Sequence, residues 1–215
     1  MKRKFVSKNR NKQSRKRKAY IWINAEGNNK TEYLYFEKFN SKNYLIKTIK
    51  SKYTDPENML KATISKIDKY IKTEGNTYDS NDRAFIFVDQ DLQVIKEKQI
   101  IKVKERIRNN KNVELIVSNP CFEIWFLSHK LFSTKPFINS EAVKIQLKKY
   151  YKDYSENKSD MYELTIKDID DAVENTKMLD KKLSSLGRIK YKYNCQPFSE
   201  VYKVIEYTQK LDHRI

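Results

Sequence analysis

The sequence predicts an α/β fold, a mostly parallel sheet flanked by helices, with a helical annex at the carboxyl end. Three observations carry this reading. Short apolar runs of strand length alternate with longer amphipathic stretches through the first half of the chain, and alternation of that kind implies parallel pairing through crossovers. Two of the apolar runs end in carboxylates followed by a helix start, as strands do where an open sheet binds ligands. After Asn119 the strand signal fades while helical spacing continues. A chain of 215 residues buries one core, or one core with an annex, rather than two full domains.

The first strand is read at Ala19–Asn24. A helix from about Lys30 to Asn40 follows, with Tyr33, Leu34, Phe36 and Phe39 on one side. Tyr44–Ile49 is the second strand. Asp55 and Pro56 then open a helix whose Met59, Ile64, Ile67 and Ile71 fall at near-helical spacing. A polar loop spans Glu74–Asp82, the third strand is Ala84–Val88, a helix covers Val94–Asn109, and VELIVS makes a fourth strand ending at Ser118. Beyond it, PCFEIWFLSHKLF reads as a buried helix with Pro120 in its first turn. EAVKIQLKKYY, a loop around Ser155–Asp160, and KDIDDAVENTKMLDKKL with Ile169, Val173 and Leu179 on one face come next. Gly187 marks the following break, and FSEVYKVIEYTQKL is a last amphipathic helix. The organisation expected is a basic tail over 1–18, an α/β core over 19–130 and the annex over 131–215.

Charge is concentrated at one end. Residues 1–18 hold ten Lys or Arg and no acid, leaving +7 of the formal +17 for the other 197 residues. Such a segment, with no hydrophobic periodicity, is expected to be disordered alone and to lie along phosphates, releasing counterions. A solubility tail has the same composition. Aromatic residues make up 13% of the chain, so rings supply much of the burial. No apolar run approaches the roughly 18 residues needed to cross a bilayer, and no signal peptide core is present, which leads to the expectation of a cytoplasmic protein with no membrane partner. Cys121 and Cys195 lack metal-knuckle spacing and read as ordinary buried thiols.

The chemistry-bearing stretch is AFIFVDQDLQ, whose apolar run delivers Asp89 and Asp91 at a strand end. Residues two apart in a strand point the same way, so both carboxylates can lean toward one ion. AYIWIN ends likewise at Glu26 and Gly27. Carboxylates after strands also cap helices or stay solvated. Three of them on a strongly basic chain nevertheless suggest a divalent metal acting on a polyanion, and hard oxygen ligands suit Mg²⁺ or Mn²⁺.

The stretches EGNNKTEYLYF, FVDQD and SNPCFEIWFLSH, in that order, resemble the RloB-like family, whose core looks like a Toprim fold. The likeness runs from about Tyr20 to Arg214, and the family's late N-P-[ST] element appears loosely as NCQPFSEV, with Asn194, Pro197 and Ser199 set apart by an insertion. A Toprim fold uses a Glu after its first strand and D-x-D after its third, which fall on Glu26, Asp89 and Asp91. The resemblance implies metal-dependent chemistry on phosphodiesters, in a family encoded near restriction and abortive-infection systems, so a defence-system partner protein is among the expectations.

Other polar positions gather around these motifs. Glu32 opens the first helix, where it answers the helix dipole or serves the metal. Lys30 and Thr31 are placed to donate to a phosphate, as are Lys16, Arg17 and Lys18 from the tail and Asn119 at the end of the fourth strand. Glu123, among Phe122, Trp125 and Phe126, is a candidate fourth acidic group or half of a buried pair with Lys or Arg. His129 reads as a satisfied side chain rather than a base. No Walker loop, G-x-S-x-G elbow or Ser/His/Asp set exists, which removes P-loop hydrolysis and serine chemistry. The expected activity is a Mg²⁺- or Mn²⁺-dependent nuclease on RNA or DNA in antiphage defence. Glu26, Asp89 and Asp91 would hold the metal, and these three with Glu123 would be catalytic. The alternative is a catalytically silent nucleic-acid-binding or sensor subunit.

Overall fold

The computed structural model describes residues 17–26, 31–75 and 77–213. Five strands form one sheet in the order β2-β1-β3-β4-β5, from β1 (Ala19–Ala25), β2 (Tyr44–Ile49), β3 (Arg83–Asp89), β4 (Val113–Asn119) and β5 (Phe198–Ser199). The first four pair in parallel and only β5 is antiparallel. This is the mixed α/β layout expected of a Toprim-like core.

Side chains alternate across the sheet and both faces are covered, which is why the strands read as nearly continuous apolar runs. Ile21, Ile23, Phe85, Phe87 and Ile116 face one layer. There they meet α1 (Thr31–Phe36), α4 (Glu123–Ser128) and α8 (Tyr202–Asp212). Trp22, Ala84, Ile86, Val88, Leu115 and Val117 face the other, against α2 (Pro56–Thr73) and α3 (Val94–Ile107). The first layer is largely aromatic. Tyr35 meets Phe126 edge-on at 5.2 Å and Phe36 lies 5.0 Å from Phe87, pairs worth about 0.5–1.5 kcal/mol each beyond the area they bury.

Helix starts follow local chemistry. Asp55 caps α2 by accepting from the Asn58 N–H at 2.9 Å, with Pro56 at the first helical position. Asn139 does the same for α5 (Ser140–Lys148) through the Ala142 N–H at 2.8 Å. The buried stripe of α2 is Met59, Leu60, Thr63 and Ile67. Ile64, expected inside, is exposed. Thr63 takes the inward place because its hydroxyl accepts from the Asn24 amide at 2.8 Å. Gly187 adopts φ +71° at the end of α7 (Ile169–Ser185), the left-handed stop expected of it.

Three elements differ from expectation. The helix after β4 does not begin at Pro120: that residue follows a cis peptide bond, and α4 starts at Glu123. Met161–Thr165 forms a short helix, α6, within a stretch that carries little apolar spacing. Phe198 and Ser199 are not helical but pair with Asn119 and Ser118 at the sheet edge. The annex thus completes the sheet of the core.

The basic tail also gives up its last two residues to the fold. The Arg17 guanidinium grips Asp82 through both carboxylate oxygens, at 2.9 and 2.5 Å, and stacks over the Tyr20 ring. The Lys18 ammonium donates to the Ser41 carbonyl at 2.7 Å. Asp82 is buried and also accepts from the backbone N–H groups of Tyr20 and Asp79. Arg17 and Lys18 are therefore structural contacts rather than free phosphate binders; residues 1–16, Lys16 among them, lie outside the described residues. Asp82→Ala should lower the unfolding free energy by about 2–3 kcal/mol, since it strands two backbone donors and a guanidinium; a urea midpoint within error of wild type would show the network to be dispensable.

Candidate functional site

The site forms where the strand order reverses. β1 runs to β2 on one side and the chain then crosses to β3 on the other, so the carboxyl ends of β1 and β3 are neighbours at the switch point where open sheets take ligands. Ala25 pairs with Phe87, and Asp89 pairs with Ser118. Glu26, Asp89 and the Ser118-Asn119 step therefore share one edge. The Tyr33 hydroxyl fixes the end of β1, accepting from the Ala25 N–H at 3.0 Å and donating to the Ile49 carbonyl at 2.8 Å.

β3 ends at Asp89, so Asp91 is not placed by strand alternation. A turn places it. Asp91 and Leu92 both take left-handed backbone angles, φ 50° and 59°, an arrangement costly for non-glycine residues and found where the surroundings enforce it. The enforcing bonds run from the Gln90 N–H to the Ser118 carbonyl, 2.9 Å, and from the Asp91 N–H to the Pro120 carbonyl, 3.0 Å. The turn brings Asp91 back toward Glu26, and the Ser140 hydroxyl holds its outer oxygen at 3.2 Å.

Between the two carboxylates sits an ammonium. Lys96 Nζ donates to Glu26 Oε1 at 2.6 Å, to Asp91 Oδ2 at 2.9 Å and to the Asp89 carbonyl at 2.8 Å. Burial disfavours the Lys96 charge, yet Glu26 and Asp91 outweigh it and raise its pKa. Glu26 is pushed up by its own burial, against the pull of Lys96. Asp89 retains some open surface but lies deep among protein atoms. Burial, then the fields of Glu32, Glu123, Asp91 and Glu26, hold its pKa well above the carboxylate range.

Glu32 and Glu123 make the inner wall. Both are buried. Glu32 is pushed up to about 8 by burial, and its Oε2 has no hydrogen-bond partner. Glu123 accepts from the Tyr154 hydroxyl at 2.7 Å, so its partner is a phenol and not the Lys or Arg considered above. All donors are hard oxygens, and the orphaned Glu32 oxygen is a group that a cation satisfies; the residues fit a divalent metal in kind. Among the described residues no three acidic, His or Cys side chains are already arranged to hold one.

The other expected positions divide. Thr31 is buried on this edge, its hydroxyl accepting from the Asn157 N–H at 3.2 Å; Lys30 lies outside the described residues. Asn119 is fully buried and spends its amide on the carbonyls of Tyr193 and Cys195 at 3.0 and 2.9 Å, which ties down the 193–195 loop and leaves it no surface for a strand. In the late element, the Ser199 hydroxyl meets Ser118 at 2.9 Å. His129 is buried, bonded through Nδ1 to the Trp125 carbonyl at 2.9 Å, and far from a base's role. Both cysteines are buried and free. Lys96, Ser140 and Tyr154 carry no motif in the sequence, and Tyr33 reads there only as one of the rings on the first helix; the position of Lys96 one turn beyond D-x-D was the available signal.

A family model, RloB-like protein, matches residues 21–207. The chain belongs to the RloB-like family. That match runs from Ile21, the third residue of β1, through β5, and includes all five carboxylates of the site. No curated protein and no solved structure matches the chain. Among the described residues of this RloB-like protein, no helix is long and apolar enough to cross a membrane.

The carboxylates carry a pH dependence. Folded Glu32 keeps its proton to about pH 8, against an ordinary 4.5, so between those values the folded state binds more protons and stability falls as pH rises. Buried His129, lowered to about 4 from 6.5, acts in the opposite sense below pH 6.5. From pH 6.5 to 8 in chelator, stability should therefore drop by up to about 1.4 kcal/mol per pH unit for each proton retained, and Glu32→Gln should flatten the slope. A urea midpoint constant over that window would mean Glu32 ionises freely in the fold.

Proposed function

We propose that this RloB-like protein is a metal-dependent phosphodiesterase acting on RNA or DNA, and that its setting is antiphage defence. The observation that carries the reading is the convergence of Glu26, Asp89 and Asp91 at the sheet's switch point, with Glu32 and Glu123 behind them. Glu26, Asp89 and Asp91 would hold Mg²⁺ or Mn²⁺, which when bound polarises a phosphate and lowers the pKa of an attacking water. Glu26, whose proton affinity burial has raised, is suited to accept a proton from that water. Glu32 and Asp89 would be crowded anions without a cation, so their fields favour one.

The substrate's approach is supported by a cleft of about 910 Å³ that opens beside Leu92 and is lined by Arg188, Lys192 and Tyr193. Tyr193 is exposed there, and although Lys192 is paired with Glu97 at 2.8 Å, an exposed ring beside the Arg188 guanidinium suits a base and its phosphate. Eight further cations lie in residues 1–16, a concentration of charge suited to phosphate. A second reading, a silent nucleic-acid-binding or sensor subunit working with a partner protein, is favoured by the Lys96 ammonium standing between two of the proposed ligands.

Purified protein with Mg²⁺ or Mn²⁺ against tRNA, single-stranded RNA, single-stranded DNA and duplex DNA decides between them. Asp89→Ala and Asp91→Ala should abolish cleavage with the fold intact, and Glu26→Gln should slow it by about 10²-fold, the usual worth of general acid–base catalysis. Wild-type rates in all three variants would remove the mechanism, and an inert wild type would favour the silent reading. Removing residues 1–16, and leaving Arg17 in place, should weaken binding to every sequence and flatten its salt dependence; an unchanged salt slope would show that these residues touch no phosphate.

A further inference from the structure

We infer that the Lys96 ammonium is a tethered occupant of the cation position, which a divalent ion must displace in order to bind; this rests on the reading above that the acidic centre takes Mg²⁺ or Mn²⁺. An ammonium has three N–H donors, and Lys96 spends them on three oxygens, at 2.6, 2.8 and 2.9 Å. Two of those are carboxylates proposed as metal ligands and the third is a backbone carbonyl, the donor types a hard divalent ion also selects. The side chain reaches them from the first turn of α3, where the helix's positive end disfavours a cation. It is also buried, 7% exposed. Neither the helix nor solvent holds it there, so the carboxylates do.

Two cations cannot share those oxygens. A divalent ion drawing in Glu26 and Asp91 takes away the partners that keep Lys96 inside and adds a double charge a few ångströms from it. The centre is thereby stable without metal, and metal affinity is set by a competition between the ion and a side chain of the same protein. The carboxylate crowd alone gives the opposite expectation, an apo site held apart by repulsion.

The test is Mn²⁺ binding to the full chain, by calorimetry and by paramagnetic resonance, with no substrate present. Lys96→Met should bind Mn²⁺ roughly tenfold tighter or more, since a unit charge within a few ångströms of the ion is removed, and should gain more in melting temperature on adding Mn²⁺ than wild type does. Lys96→Arg, which keeps the charge, should bind no tighter than wild type. Lys96→Gln keeps a donor for the carboxylates without the charge and carries the same expectation as Lys96→Met should the latter not fold. Wild type binding Mn²⁺ with the uncharged variants no tighter would overturn the displacement and leave the metal site standing. No Mn²⁺ binding by any of the chains would overturn both.

Discussion

Crowded negative charge is the constraint around which this molecule is arranged. Glu26, Glu32, Asp91 and Glu123 all press their fields on Asp89 at the reversal of the strand order. An unpaired buried carboxylate costs several kcal/mol, so each is answered. Glu26 and Asp91 share the Lys96 ammonium, Glu123 has the Tyr154 phenol, and Glu32 and Asp89 have proton affinities shifted upward. The surrounding elements supply these answers. α3 supplies the lysine, the segment after α5 the phenol, and the start of α5 the Ser140 hydroxyl.

A second charged centre, at the β4 edge and also reached by a lysine of α3, shows the contrast. Glu200 is fully buried, yet it is held well below the usual carboxylate range. Burial alone would raise its pKa, but Lys104, Lys203 and Lys190 overcome that. It bonds Lys104 at 2.6 Å, Lys203 at 2.7 Å and the Tyr191 hydroxyl at 2.8 Å. There one anion has three cations; at the strand ends, among the described residues, five anions have one ammonium bonded to them. An excess of cation around a single carboxylate is a closed structural pair, whereas an excess of carboxylate is open to a further positive charge.

Much of the frame was legible because β1, β3 and β4 are buried on both faces, which leaves apolar runs of strand length between polar breaks. The carboxylates were legible as strand ends. Asp91 was found for a reason that the fold replaces, since the left-handed pair Asp91-Leu92, not the pleat, orients it. Lys96 was hidden because it is one of 45 Lys and Arg residues and acquires meaning only once that turn folds back. Tyr154 was hidden by the 31 residues that separate it from Glu123. Phe198-Ser199 was read as helix because two residues of pairing leave no period to detect. Arg17 and Lys18 vanished into a run of cations whose average says nothing of which ones fold back.

The late strand carries a consequence for how the protein is made. β4 closes its outer edge on Ser199, and the Ser118-Asn119 step beside the acidic centre is tied by residues 193–199. A nascent chain on the ribosome can pair β1 to β4 among themselves, but that edge and the floor of the centre stay open until residues 193–199 have emerged. An open apolar edge is a site for wrong pairing with other chains. Premature termination upstream of Phe198 would thus release not a weakened protein but an unfinished sheet, with its clustered carboxylates unframed and its border free to aggregate.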